Sequence, residues 1–347
     1  MSERERTRRG IAAGGNWIVD RVKMLDRLPG RGMLANIRSE TRSTGGAPAN
    51  VLADLARMQA GFPLAGVGVV GQDSDGDFVL AMCRQHGFDT TGIVRTPDAP
   101  TSYTDVMSEI GSGDRSFFHC RGANAIFGPE HVDVAGLTCR IFHLGYLLLL
   151  DRMDAADPHG GTVAAGFLRT LRAAGIRTSV DVVSEESDRF RTIVPPALRY
   201  VDYLILNEIE AGRTVGAAVR RADGTLDERE LVRAVDALLG LGAMELVAVH
   251  MPEGVFAGER RGRRVALGSF LLPEGFIQGT LGAGDAFGAG MLYGLHEGWD
   301  TARCAELGIC CATACLAHSS ASGGVVPLAE ALRFGTQLQR RPPPVKL

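Results

Sequence analysis

The sequence predicts an α/β protein built on a mainly parallel sheet with helices on both faces. Three observations carry this expectation. From Arg140 onward, short apolar runs alternate with segments of helical periodicity, as in strands joined by crossover helices. The chain has 347 residues, 45% hydrophobic and 22% charged, enough for one large α/β domain or two modest ones. Finally, Gly279-Thr280-Leu281-Gly282-Ala283-Gly284-Asp285 runs into the apolar stretch 286–293, a small-residue turn opening a helix.

In chain order, residues 11–20 begin as a strand and end Gly14-Gly15-Asn16-Trp17-Ile18-Val19-Asp20. Alternation puts Asn16, Ile18 and Asp20 on one side if the strand persists. Asp20 reads either as a solvated strand end or as a ligand for hydroxyls, since a carboxylate accepts several hydrogen bonds. Residues 33–43 are polar and extended. They lead into Thr44-Gly45-Gly46-Ala47-Pro48-Ala49-Asn50 and a helical pattern through Val51, Leu52, Leu55 and Met58. Glycines entering a helix with an Asn in its first turn bring backbone and amide close to a small polar ligand. Residues 64–70 form a buried-type strand, and Gly68 to Gly76 turns into a helix over 78–86. The acids of that turn read as turn and cap groups. Residues 101–109 and 114–120 alternate and form a hairpin through Gly111-Ser112-Gly113-Asp114, followed by Arg121-Gly122-Ala123-Asn124.

Beyond Arg140 the pattern predicts strands at 141–144, 177–182, 203–206 and 246–249. Helices are predicted at 162–174, 188–194, 208–215, 228–239, 283–296 and 301–317. Pro195-Pro196 is expected to stop a helix. Asn207 and Glu210 directly follow a strand, at the edge where α/β ligand sites gather. On the residues alone a capping role is favoured. The other reading has Glu210 holding Mg²⁺ through water, because Mg²⁺ keeps much of its hydration shell.

Composition excludes several classes. The formal net charge is −3, and basic tracts are confined to the first nine residues and Arg260-Arg261-Gly262-Arg263-Arg264, so no nucleic-acid partner is expected. Residues 1–10 read as a disordered start without the apolar region of a signal peptide, and 331–347 as a C-terminal tail. No run of about 18 apolar residues suggests a membrane partner. The seven cysteines lack metal-type pairing, with Cys310, Cys311 and Cys315 packing as small hydrophobes, and a reducing cytoplasm fits. The eight histidines show no metal spacing either, and His143 and His250 read as core or site-lining.

The Gly282-Ala283-Gly284 turn carries the chemistry. Without bulky Cβ substituents, backbone N–H groups converge on an anion, and the helix adds its positive dipole end. An acid at that point would repel a phosphate unless it accepts a proton from the hydroxyl attacking the phosphoryl group. The local physics points to phosphoryl transfer to an alcohol, against a reading in which Gly and Ala merely allow close helix packing.

Taken together, Gly282-Ala283-Gly284-Asp285, Gly45-Gly46 with Asn50, the Gly68–Gly76 turn and Asn207-x-x-Glu210 resemble the ribokinase-like (PfkB) carbohydrate kinase family, over roughly residues 11–330. The resemblance implies a doubly wound sheet, a small β-sheet lid formed by about 21–43 and 101–121, and a site for ATP and Mg²⁺. It implies Asp285 as general base and the amides of Gly282, Ala283 and Gly284 as anion hole. Asn207 and Glu210 would position Mg²⁺ and phosphates, with Gly254 and Thr280 on the nucleotide side. Asn16, Asp20, Gly45, Gly46 and Asn50 would bind the sugar, and Arg121 and Asn124 are lid-side candidates. A homodimer through the lid sheet is a further expectation. Two departures stand out. Gly279 occupies a position where many relatives carry an Asp of a monovalent-cation site, which puts potassium activation in doubt. Gly145 stands where ribose-specific members have an acid, which weakens ribose as the substrate. The alternatives are a nucleoside kinase, with Trp17 and Phe118 as stacking surfaces, and a catalytically silent sugar-binding sensor, against which the retained Asp285 argues.

Overall fold

The computed structural model describes residues 8–111, 114–158, 160–242 and 244–347. The expected disordered start up to residue 7 and the hairpin tip Ser112-Gly113 lie outside the described residues. The strands are β1 (Ile11–Gly15), β2 (Ile18–Leu25), β3 (Ile37–Gly45), β4 (Leu64–Gly71), β5 (Asp89–Thr96), β6 (Ser102–Glu109) and β7 (Arg115–Cys120). They continue as β8 (Ile141–Leu147), β9 (Arg177–Val182), β10 (Tyr203–Asn207), β11 (Leu246–Met251), β12 (Gly254–Glu259) and β13 (Arg264–Gly268). One sheet has the order β13-β12-β11-β10-β9-β8-β1-β4-β5, and a second has the order β3-β2-β6-β7.

In the large sheet, β5 through β11 are parallel, and β12 and β13 close one edge antiparallel. Each face is covered. The helices Ala47–Arg57, Ala283–His296 and Thr301–Leu316 pack on one side, and Val163–Ala173, Phe190–Leu198 and Glu228–Leu241 on the other. Two apolar clusters separated by the sheet result, as the strand–helix alternation requires. Strand order reverses between β1 and β8, which opens a crevice at their C-terminal ends.

Residues 11–20 are not one strand. The chain leaves the large sheet after Gly15 and enters the second sheet at Ile18. Trp17 anchors this passage: it is fully buried, and its indole N–H donates to the Val67 carbonyl at 2.9 Å. A Cβ on Gly68 would lie 2.3 Å from its ring, so the glycine of β4 makes its slot. The second sheet therefore begins at Ile18, slightly before the expected lid segment.

Pro195 and Pro196 do not stop a helix; they lie inside Phe190–Leu198. The carbonyls that lose their N–H partners belong to Arg191 and Thr192, both exposed residues, so the missing donors leave no acceptor buried in the core. The basic tract 260–264 is the β12–β13 hairpin turn, with Gly262 at φ 91. The C-terminal segment packs against the exit of β13: Leu271 N donates to Gln339 O and Arg341 N to Ser269 O, both at 2.8 Å, and Val345 is buried. Among the described residues no helix is long and apolar enough to cross a membrane.

Candidate active site

Asp285 occupies the first turn of the helix Ala283–His296 and is only 7% exposed. Asn50 donates to its Oδ2 at 2.7 Å, and the Tyr146 hydroxyl bridges both carboxylate oxygens at 3.0 and 3.1 Å. Burial raises the pKa of Asp285, and these two donors hold the rise back.

The turn before it demands glycine. Gly282 has φ 77, and a Cβ there would lie 2.2 Å from the Ala321 carbonyl oxygen. The first amides of the helix have no intrahelical acceptor, so this end presents N–H donors and a positive dipole beside a buried carboxylate.

Asp20 approaches from β2. A Cβ on Gly45 would lie 2.0 Å from its Oδ2, so the bare glycine makes room for the carboxylate. The pKa of Asp20 is pushed up to about 6, by burial first and by the Asp285 charge second, with a Thr104 hydrogen bond opposing. At Gly46, φ is 87 and a Cβ would strike the Asn16 carbonyl oxygen at 1.9 Å. Asp20, Gly45, Gly46, Asn50 and Asp285 are thus brought together.

Two expected sugar ligands are engaged elsewhere in this structure. Asn16 is fully buried; its Oδ1 accepts from the Tyr146 backbone N–H, and its Nδ2 donates to Leu149 O at 3.2 Å. Asn124 is also fully buried: Trp17 N donates to its Oδ1 at 3.1 Å, and its Nδ2 donates to Trp17 O at 3.2 Å. Both amides hold the passage between the sheets. Arg121 donates to Leu148 O at 3.2 Å and to Asp151 Oδ1 at 2.8 Å.

Asn207 and Glu210 form a capping box. Glu210 N donates to Asn207 Oδ1, and Asn207 N to Glu210 Oε2, both at 2.9 Å. Ser184 donates to the other Glu210 oxygen at 2.6 Å. Asp181, at the end of β9, was not singled out in the sequence, although an acid inside the apolar run Val180–Val183 was an available signal. Burial raises the pKa of Asp181, and the charges of Glu210 and Asp285 add to it; burial likewise raises that of Glu210. Two repelling carboxylates, Glu210 buried and Asp181 half-buried, suit a hard divalent cation that keeps several waters.

Asn207, Gly254, Thr280, Ala283 and Gly284 line one cavity of about 500 Å³, with apolar walls that include Met251, Phe270, Ile309 and Leu316. Gly254 has φ 147, and a Cβ there would lie 2.0 Å from Leu267 O, so the hairpin alone accounts for this glycine. His250 also lines the cavity; burial pushes its pKa down to about 4. On the other side of the turn, Arg115 and Phe117 of β7 face residues 277–282 across an open cleft. Tyr146 and Arg115 carried no motif and were missed.

The model of the pfkB family of carbohydrate kinases matches residues 9–327. The chain belongs to that family. An ATP-dependent ribose-1-phosphate kinase of Halopiger xanaduensis is 28% identical over 306 residues, covering 87% of this chain and 90% of the relative. A 5-dehydro-2-deoxygluconokinase of Geobacillus kaustophilus is 23% identical over 318 residues, covering 85% of each. The fold matches that of Arabidopsis thaliana ribokinase complexed with ribose and ATP, with a TM-score of 0.77 at 20% identity over 94% of this chain and 98% of that one. An E. coli structure named for ribokinase II, in complex with ATP and Mg²⁺, has a TM-score of 0.73 at 19% identity, covering 94% and 99%. The fold is ribokinase-like, with a large, mostly parallel sheet and a separate smaller one. As a pfkB family kinase, this enzyme phosphorylates a small carbohydrate at the expense of ATP.

Proposed function

We propose that this kinase transfers the terminal phosphoryl group of ATP to a sugar hydroxyl, with Asp285 as the general base. The supporting observation is the juxtaposition of a buried carboxylate with the N-terminal turn of its own helix, opposite Asp20. Asp285 takes the hydroxyl proton as attack proceeds. The amides of Gly282, Ala283 and Gly284 stabilise charge spreading over the phosphoryl oxygens. Asn50 and Tyr146 orient the base, and Asn16 in turn holds the Tyr146 backbone. Asp20, Gly45 and Gly46 bind sugar hydroxyls, while Arg121 and Asn124 shape the lid side. Arg115 supplies a cation across the cleft from the turn.

The nucleotide occupies the cavity lined by Asn207, Gly254 and Thr280, its base against the apolar wall. Glu210 and Asp181 would hold Mg²⁺, and the ion would supply charge neutralisation at the phosphates. Gly279 brings no carboxylate to a monovalent cation, so the reading includes no potassium requirement. The four-stranded sheet acts as a lid that keeps water from competing as acceptor. Its exposed apolar side chains, Met33, Leu34, Ile37, Ile110 and Phe118 among them, favour a lid-to-lid homodimer. Seven unpaired cysteines fit a reducing cytoplasm.

A sugar acceptor is favoured over a nucleoside. Trp17 is fully buried in the core, and Phe118 alternates to the lid face opposite His119, so neither offers a base-stacking surface beside Asp20. The test is ADP release with MgATP over ketoses, aldoses, sugar acids, sugar phosphates, polyols and nucleosides. One strong acceptor is expected, with turnover falling roughly 10²–10⁴-fold in Asp285→Asn. Equal turnover by the variant would remove Asp285 from the mechanism.

A further inference from the structure

The basic tract Arg260-Arg261-Gly262-Arg263 takes no part in the crevice; it borders a cavity of about 560 Å³ at the opposite edge of the large sheet. Arg177, Tyr203 and Leu246 open β9, β10 and β11, Arg140 immediately precedes β8, and all four line this cavity. The crevice lies at the other ends of these parallel strands. Strands β9, β10 and β11 are five or six residues long, which separates the two places by about 15–20 Å.

The cavity is cationic. Five arginines and three carboxylates line it, an excess of two positive charges in a chain whose net charge is −3. Each carboxylate is already engaged. Glu245 pairs with Arg177, and Glu259 accepts from the Thr301 hydroxyl at 2.6 Å. Asp300 caps the helix Thr301–Leu316, accepting from Arg303 N at 3.0 Å. Behind Arg177, buried Asp202 adds a negative charge, and Arg303 over the Trp299 ring at 3.5 Å offsets it. The exposed arginines of the hairpin are the least committed. Arg263 lies 3.9 Å from Asp300, at the limit of an ion pair, and Arg260 donates to the main-chain carbonyls of Gly242 and Met244. Arg261 has no hydrogen-bond or ion-pair partner among the described residues. The opposite wall is apolar and aromatic, formed by Tyr203, Leu246, Leu295 and Trp299. The carbonyl end of the helix Ala283–His296 would repel an anion here, but Arg140 covers its His296 carbonyl at 2.6 Å.

We propose that this cavity is a second binding site, for a small phosphate ester. Arg261 and Arg263 take the phosphate, and Tyr203 and Trp299 pack against the organic part. Two excess positive charges match the dianion of a phosphate monoester, where a carboxylate would neutralise only one, and the guanidinium fork fits phosphate oxygens. A cavity of this size holds a sugar phosphate or a mononucleotide. Because it stands at the far edge of the sheet, its ligand is neither the phosphoryl donor nor the acceptor, and the inference does not depend on the sugar-kinase reading.

Trp299 gives the cavity its own signal, since the other of the two tryptophans, Trp17, is fully buried at the passage between the sheets. Tryptophan fluorescence is followed in wild type, in Trp299→Phe, and in two double variants, Arg261→Ser with Arg263→Ser and Arg261→Lys with Arg263→Lys. The probes are a hexose monophosphate, AMP, inorganic phosphate, and sodium chloride at equal ionic strength. A saturable change with at least one ester is expected in wild type and is lost in Trp299→Phe. The double serine variant is expected to move the midpoint roughly 10-fold or more upward, as the loss of charge-assisted hydrogen bonds requires. The double lysine variant keeps part of the affinity, and unchanged thermal midpoints show that both variants fold. A response to AMP alone makes the ligand a nucleotide, and a response to the hexose monophosphate alone makes it a sugar phosphate. No saturable response to either ester overturns the proposal, as does a double serine variant that binds as tightly as wild type or a response that chloride reproduces. Inorganic phosphate binding as tightly as both esters overturns the assignment of an organic ligand.

Discussion

Asp285 is set by three opposing influences. Burial raises its pKa, while the donors from Asn50 and Tyr146 favour the ionised form. Tyr146→Phe removes one donor, so the carboxyl pKa rises. The acid limb of the kcat/KM profile is expected to move to higher pH, since activity requires the deprotonated form. A limb that stays in place or moves down would show that Asp285 does not govern it. One turn beyond Asn50 in the helix Ala47–Arg57, Asp54 is fully buried with both carboxylate oxygens unpartnered among the described residues. Burial and the Asp285 charge raise its pKa well above that of an exposed carboxyl. In the window above the unfolded value of about 3.9, the folded state holds the extra proton, so stability falls as pH rises through it. Asp54→Asn removes this titration, and its thermal midpoint is expected to decline less than that of wild type between pH 4 and 8.

At the scale of elements, the anion turn is only as well placed as the helix behind it. Ala283–His296 packs on Thr301–Leu316 through glycine: a Cβ on Gly290 would lie 2.8 Å from the Gly308 backbone. The helix therefore serves both readings, since its first turn carries the proposed anion-binding amides and its later turns permit close packing. Gly290→Val overpacks this contact and is expected to cost about 1–3 kcal/mol, read as a lower urea midpoint. An unchanged midpoint would mean that the two helices can separate freely. The capping box at Asn207 and Glu210 shows the same economy: Asn207, which starts the helix Glu208–Val215, also lines the cavity.

At the scale of the whole molecule, two sheets divide the work. The large sheet brings Asn207, Glu210, Asp181 and the turn before Asp285 to one edge, and the smaller sheet carries Asp20 and Arg115. The ion pairs from Arg21 and Arg42 to Asp75 tie the lid's root to the helix Ser74–Gln85. The apolar side chains exposed on the lid predict a dimer. Light scattering at working concentrations is expected to give twice the chain mass, and Leu34→Glu with Phe118→Glu to return it to monomer. A monomeric wild type would leave the lid face without a second copy.

The fold class, the glycine turn that opens a helix and the carboxylate at its end were all legible in the order of residues. Each rests on local physics: strand–helix periodicity, glycine's freedom at positive φ, and the donors exposed at a helix start. The sequence also placed Gly45, Gly46 and Asn50 correctly at the entrance of the helix Ala47–Arg57. Which groups meet was settled by packing between distant parts of the chain. Asn50 and Asp285 are 235 residues apart, and Tyr146 and Asp285 are 139 apart, so no local pattern could couple them. The break at Asn16-Trp17 was equally illegible, because continuous alternation cannot show a strand changing sheets. Asn16 and Asn124 read as ligands from their positions, yet burial directs their amides to the backbone beside the crevice. A side chain's partners depend on which distant elements pack against it, and that is settled by the closing of the sheets rather than by the order of residues.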